Sequence, residues 1–141
     1  MIDTREIYKE CCKIIKPYIK EKIMGPFFFS TLEKAINSDE IIFTKSNENI
    51  IAFLQWRPYK KEEILLLNKM AVKENMRGQN IGSEILKRFQ IIAKEKNKNI
   101  KLRVAKINIK GIDFYKKHGF NIIEDKYSSD IVHTMFWSSK W

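Results

Sequence analysis

The chain alternates between a helical and a strand-like rhythm of apolar positions. Near its start Ile7, Tyr8, Cys11, Ile14, Ile15, Tyr18 and Ile19 recur at three and four, the spacing of an amphipathic helix that faces a core. Pro17 is expected to kink that helix or end its first part between residues 12 and 16. Met24-Gly25-Pro26 forces a turn, and Ser30 and Thr31 are both candidates to cap a second short helix carrying Leu32, Ala35 and Ile36. Three adjacent phenylalanines, Phe27, Phe28 and Phe29, cannot all face one core, so at least one is expected on a groove or a partner surface. Strand-like runs follow at 41–44 and 50–56, flanking the polar Ser46-Asn47-Glu48-Asn49, and together they read as a hairpin. After a polar turn over 57–61, residues 64–72 form a third strand. The helical rhythm returns from Gly82 to about Lys96. A strand over 100–104 feeds a helix from Asn108 to His118, stopped by Gly119, and strands over 120–123 and 131–137 complete the chain. An antiparallel meander ahead of strand-to-helix units predicts an α/β fold on a mixed sheet.

The stretch that organises the rest runs from Ile64 to Lys87. An apolar run of strand length breaks into a short polar turn with two glycines, then resumes as a helix at Ile81, Ile85, Phe89 and Ile92. Such a turn leaves the free amides of the helix start converging on one point, where the helix dipole adds positive charge. That point suits phosphate. The turn is not a P-loop: Gly78 and Gly82 are one residue too close, and Ser83 stands where the lysine belongs. Nor is it the Gly-x-Gly-x-x-Gly dinucleotide fingerprint.

A chain of 141 residues predicts one domain, spanning 1–141, with enough length for a real core. No apolar run approaches the roughly 20 residues that span a bilayer, and the charged start lacks an apolar signal core, so no membrane partner and a cytoplasmic location are expected. Cys11 and Cys12 are adjacent and the only cysteines, which gives neither a disulfide framework nor a metal quartet; buried thiols in a reducing compartment are the expectation. No metal is expected, since His118 and His133 lack clustered partners. The formal charge of +10 favours anionic ligands and concentrates toward the C-terminal half: between Lys94 and Lys117, Lys94, Lys96, Lys98, Lys101, Arg103, Lys106, Lys110, Lys116 and Lys117 face only Glu95 and Asp113. Coenzyme A and nucleic acid are both drawn to such a field, and a solvated lysine-rich surface accounts for it equally well.

Two motifs carry a resemblance. Arg77-Gly78-Gln79-Asn80-Ile81-Gly82 resembles the Gln/Arg-x-x-Gly-x-Gly/Ala signature of the GNAT superfamily of acyl-CoA-dependent N-acetyltransferases. Asn80 departs from it, in the residue type that best tolerates the positive φ a signature glycine supplies. Asn108-x-x-Gly111-x-x-Phe114-Tyr115-x-x-x-Gly119-Phe120 resembles the second half of the same family's pattern, in the same order and spacing. The resemblance covers the whole chain and implies a GNAT-like fold. In it a mostly antiparallel central sheet flanked by helices splays between its fourth and fifth strands, here the strands over 64–72 and 100–104.

The resemblance further implies acetyl-CoA as cofactor, with pantetheine inserted in the splay. Main-chain groups of Met70, Ala71 and Val72 would pair with pantetheine, Met70 also facing the thioester oxygen. Arg77, Gly78, Gln79, Asn80, Ile81, Gly82 and Ser83 would hold the pyrophosphate, and Asn108 would both cap its helix and touch the pantetheine arm. Tyr115 is the implied acid that protonates the departing thiolate. Substrate contacts are expected from Phe28, Trp56, Tyr59 and Arg103, with the turn over 26–29, Arg57, Tyr127, His133 and Trp137 around them. Relatives that acetylate protein N-termini carry a glutamate at the position of Arg103, so the base stays open between Glu62, Glu63 and a water relay by way of Asn68. Arg103 suits an acceptor carboxylate or phosphate instead. His118 is expected to interact with its helix end rather than to catalyse.

The expected activity is transfer of acetyl from acetyl-CoA to a primary amine of a small molecule or protein, directly in a ternary complex, by a monomer or homodimer. The alternatives are a toxin-like enzyme acting on aminoacyl-tRNA and a non-catalytic basic module that binds nucleic acid; the intact Asn108 and Tyr115 speak against the second.

Overall fold

A computed structural model describes residues 3–59, 63–126 and 128–140. Its elements run α1 (Thr4–Lys20), α2 (Phe29–Asn37), β1 (Ile41–Ser46), β2 (Asn49–Pro58), β3 (Ile64–Val72), α3 (Ile81–Glu95), β4 (Asn99–Ala105), α4 (Ile109–Lys117), β5 (Asn121–Ile123) and β6 (Val132–Trp137), with a 3-10 turn at Glu74–Met76. The strands form one mixed sheet in the order β1-β2-β3-β4-β6-β5, antiparallel except where β3 meets β4. The β1–β2 hairpin closes through Asn47 and Glu48, both at positive φ, as a two-residue turn of this hand requires.

Each face of the sheet is covered, which is why its central strands read as nearly unbroken apolar runs. On one face Ile85, Leu86, Phe89 and Ala93 of α3 pack with Leu54, Trp56, Leu67, Ile100 and Leu102, joined by Ile112 of α4 and by Phe120. On the other, Cys11, Ile14 and Ile15 of α1 and Leu32 and Ala35 of α2 pack with Phe53 and Ala71. The burial that seats Cys11 in this layer pushes its thiol up to about 12, so it stays protonated, while Cys12 is only half-buried.

Two expectations about the helices give way to tertiary contacts. Pro17 does not end α1, which continues through it to Lys20, and Glu21 N–H donates to Pro17 O at 3.0 Å. The last turn is held from outside, since the Tyr18 hydroxyl donates to Val72 O at 2.8 Å. Helix α2 starts ahead of Ser30 and Thr31: Phe28 is its N-cap residue, and no side chain caps it. Phe27 sets that start. It stacks on Phe53 at 5.2 Å and its carbonyl accepts from the Tyr8 hydroxyl at 2.7 Å.

Two features of β3 shape everything built on it. Its pairing with β2 jumps from Gln55↔Lys69 to Trp56↔Leu67, leaving Asn68 as the extra residue of a bulge. Its pairing with β4 is confined to Ile64↔Asn99 through Leu67↔Leu102; beyond the bulge the two strands part, which is the expected splay, here between the third and fourth strands of the chain.

The turn after β3 holds Gly78 at φ +83° and Asn80 at φ +61°. Replacing Asn80 by Val should therefore destabilise the fold by about 1–2 kcal/mol in urea titrations, whereas Asn80→Gly should stay within about 1 kcal/mol of the parent chain.

Candidate functional site

Where β3 and β4 part, a cavity of about 810 Å³ opens between the end of α1, the outer half of β3, the start of α3 and the start of α4. Met70, Ala71, Val72, Arg77, Gly78, Asn80, Ile81, Gly82, Ser83, Asn108 and Tyr115 all line it, so the two sequence motifs meet on one space. Gln79, singled out with them, is exposed in the same turn and does not line the cavity.

Strand geometry decides which main-chain groups face the opening. Lys73 N–H donates to Ile51 O at 2.7 Å, toward β2. One residue back the backbone turns to the other side, so the N–H and C=O of Val72, and two residues further back those of Met70, point into the splay. Side chains alternate the other way: Met70 and Val72 belong with the α3 layer and Ala71 with the α1–α2 layer. The bulge turns Asn68 toward that second layer too, where its amide donates to Gln55 Oε1 at 2.6 Å.

At the far end of the cavity α3 begins without a side-chain cap, because Asn80 occupies the cap position in left-handed conformation and makes no such bond. The first-turn amides, Ile81 to Ser83, thus open on the cavity with the dipole's positive end behind them. Arg77 and Lys110 add cationic side chains to the lining, against Glu21 as the acidic one. This donor set fits a pyrophosphate.

Helix α4 supplies the opposite wall. Asn108 caps it, its Oδ1 accepting from Gly111 N–H at 3.0 Å, and a Cβ on Gly111 would collide with that carboxamide. The cap and the cavity lining are both met by the one residue. Tyr115, half-buried against Phe114 and Phe120, has its phenol pushed up by burial and, second, by the neighbouring Tyr18. His118 Nδ1 sits 2.9 Å from Phe114 O, the helix-end role expected of it.

The expected substrate residues scatter. Trp56 is a core residue, 2% exposed and 4.9 Å from the Phe89 ring, because plain alternation along β2 sends it, with Ala52 and Leu54, to the α3 face. Trp137 is buried on Phe120. Phe28 is exposed and Tyr59 packs under Lys101 Nζ at 5.3 Å; neither lines the cavity. Arg103 pairs with Thr134 across β4–β6 and, alternating with buried Leu102 and Val104, lies on the α1–α2 face. His133 contacts Glu124 at 3.3 Å. Of the candidate bases, Glu63 pairs with Lys98 at 3.5 Å at the closed end of the β3–β4 ladder, away from the splay. Glu62 and Tyr127 lie outside the described residues.

Sequence reasoning missed two residues at the opening. The Tyr18 hydroxyl bonds to both main-chain groups of Val72 and to Arg77. Lys69, beside the bulge, donates to Gly25 O at 3.2 Å, and burial lowers its pKa. Tyr18 reads as one more apolar position of an amphipathic helix, and no local signal marks its partner in β3. Among the described residues no group of three or more His, Cys, Asp or Glu could hold a metal, and no helix is long and apolar enough to cross a membrane.

Comparisons with known proteins agree with this geometry. Ard1 from Thermoplasma volcanium superposes with a TM-score of 0.80 at 20% identity, covering 97% of this chain and 93% of that one. A GNAT-family acetyltransferase from Staphylococcus aureus Mu50 gives 0.79 at 19% identity, with 99% and 98% covered. The PaiA N-acetyltransferase from Thermoplasma acidophilum, solved in complex with coenzyme A, gives 0.67 at 18% identity, with 78% and 68% covered. No curated protein matches the chain in sequence. The family model described as an acetyltransferase (GNAT) domain matches residues 37–122, and the chain belongs to that family.

Proposed function

We propose that this chain is an acetyl-CoA-dependent N-acetyltransferase that acts on a primary amine by direct transfer within a ternary complex. One observation supports this above the others: the outward-facing backbone of Met70 and Val72 and the uncapped start of α3 lie on the same cavity, one suited to an amide-bearing arm and the other to a pyrophosphate. When bound, acetyl-CoA supplies the activated acyl group. Arg77, Gly78 and residues 80–83 would hold its phosphates, Met70 and Val72 would pair with its arm, and the Met70 N–H would serve as donor to the oxygen on which charge develops.

The balance of the reaction assigns the remaining roles. A nitrogen–carbon bond forms, the carbon–sulfur bond breaks, the amine loses a proton and the sulfur gains one. The amine's proton leaves to solvent and the sulfur's arrives from it, with Tyr115 the hydrogen-bond donor at the sulfur. Its raised pKa keeps it protonated throughout the neutral range, so it acts as a hydrogen-bond donor toward the developing thiolate. A thiol of pKa about 8.5 is more acidic than this phenol, so the tyrosine holds its proton once the sulfur is protonated from solvent.

The attacking amine must be neutral. A lysine side chain of pKa about 10.4 is neutral in roughly one molecule in a few thousand at pH 7, an α-amine of pKa about 7.8 in about one in seven. Lys69 beside the bulge is a cation on the α1–α2 face, where it disfavours a bare ammonium group and suits an acceptor with a carboxylate or phosphate beside its amine; Lys101 on that face is already paired with Asp125 at 3.4 Å. A screen of amines with and without such a neighbouring anion, read by release of free thiol, tests this directly. Turnover confined to amines without the anion would overturn the acceptor class.

Tyr115→Phe should lower kcat by about 10²-fold or more, with little change in acetyl-CoA affinity measured by calorimetry. Gly82→Asp places a carboxylate among the first-turn amides and should weaken coenzyme A binding at least tenfold while leaving the fold intact, as measured by calorimetry and thermal melting. The pH profile separates the two proton-bearing groups. Activity should rise with pH as the acceptor amine loses its proton. It should not fall through loss of the Tyr115 proton until well above pH 10, the ordinary tyrosine value, because the phenol is pushed up and is fully protonated below that.

A further inference from the structure

In a sheet, the N–H and C=O that Val72 turns toward β4 would be paired by a neighbouring strand. Here a single side chain from the other end of the chain does the pairing. The Tyr18 hydroxyl donates to Val72 O at 2.8 Å and accepts from Val72 N–H at 3.4 Å. It also accepts from Arg77 Nε at 3.1 Å, and the Arg77 guanidinium lies over the Tyr18 ring at 4.4 Å from its centroid. One donated and two accepted bonds use the full capacity of a phenolic hydroxyl. All three residues line the cavity.

We propose that Tyr18 and Arg77 form a latch across the acyl slot, one that makes the site discriminate among thioester carriers by their phosphates. The inference rests on the reading of the cavity as a carrier site. An amide-bearing arm pairs with Val72 only after the Tyr18 hydroxyl has left it. Arg77 stands at the head of the turn whose amides await an anion, so a pyrophosphate there draws the guanidinium off Tyr18 and gives it a new partner of full negative charge. A carrier without phosphates displaces Tyr18 with no such exchange. The latch therefore subtracts the same free energy from every carrier that pairs with Val72, and the Arg77 contact returns it to those with a pyrophosphate.

The test is calorimetric or NMR titration of the full chain with coenzyme A and with pantetheine, which shares the arm and lacks the phosphates. Tyr18→Phe keeps the ring that packs in α1 and removes all three hydrogen bonds; it should tighten the binding of both ligands by about fivefold to tenfold. Arg77→Ala changes an exposed side chain and should act with opposite signs, tightening pantetheine while weakening coenzyme A. Unchanged or weaker pantetheine binding in both variants, with coenzyme A still bound by the parent chain, overturns the latch and leaves the proposed function standing. Failure of the parent chain to bind coenzyme A at all overturns both.

Discussion

A backbone N–H or C=O withdrawn from water costs free energy unless it is paired, and in this fold the obligation falls most heavily on the outer half of β3. Its inner half is satisfied on both sides, by β2 and by β4, through Leu67↔Leu102. Beyond the Asn68 bulge β2 continues to Val72 and β4 does not. The sheet thus ends in a set of main-chain groups with a direction, a spacing and no strand to meet them. Tyr18 answers that demand at Val72, reaching in from α1, and the same hydroxyl gives α1 a reason to persist through Pro17.

The bulge also divides the labour of the side chains. An uninterrupted β3 would have sent Leu67 and Met70, three residues apart, to opposite faces. The extra residue instead keeps Leu65 and Leu67 before it and Met70 and Val72 after it in the α3 layer, while Gln55 of β2, buried at 3% exposure on the α1–α2 face, accepts from Asn68. One inserted residue separates the hydrophobic support of the sheet from the polar side on which an acceptor would approach. Both Asn68 and Lys69 end up on that polar side, as a bulge of this kind arranges.

The parts legible in the sequence were those whose cause is local. The turn from Arg77 to Gly82 announces itself by residues that accept positive φ, and Asn80 at φ +61° shows that the departure from glycine keeps the geometry. Asn108 caps α4 through an i to i+3 bond, a signal contained in four residues. The alternation of Leu102 and Val104 with Lys101 and Arg103 gives the faces of β4 directly. What stayed hidden depends on partners remote in sequence. Tyr18 meets Val72 across 54 positions, and nothing in its helical spacing distinguishes it from Ile15 or Ile19. The start of α2 was misplaced because Phe27, held by Tyr8 and Phe53, outweighs the side-chain capping that Ser30 and Thr31 offered. Trp56 suits a substrate site by its chemistry, yet at period two it follows Ala52 and Leu54 into the α3 core, where Phe89, remote in sequence, covers it.

Charge completes the picture by acting at two ranges. The net +10 is a long-range bias toward anions, screened within about 10 Å at moderate salt, and it says nothing about where an anion stops. The stopping point is set at short range by the uncapped start of α3, where fixed amides and a left-handed turn converge whatever the surrounding salt. Main-chain donors of this kind cannot be lost by substitution, only by altering the turn that aims them. The chain keeps the fold of Ard1 from Thermoplasma volcanium over nearly its whole length at 20% identity. A contact made by the backbone survives a change of side chain, whereas the proposed donor role of Tyr115 and the cap that Asn108 supplies have no main-chain substitute.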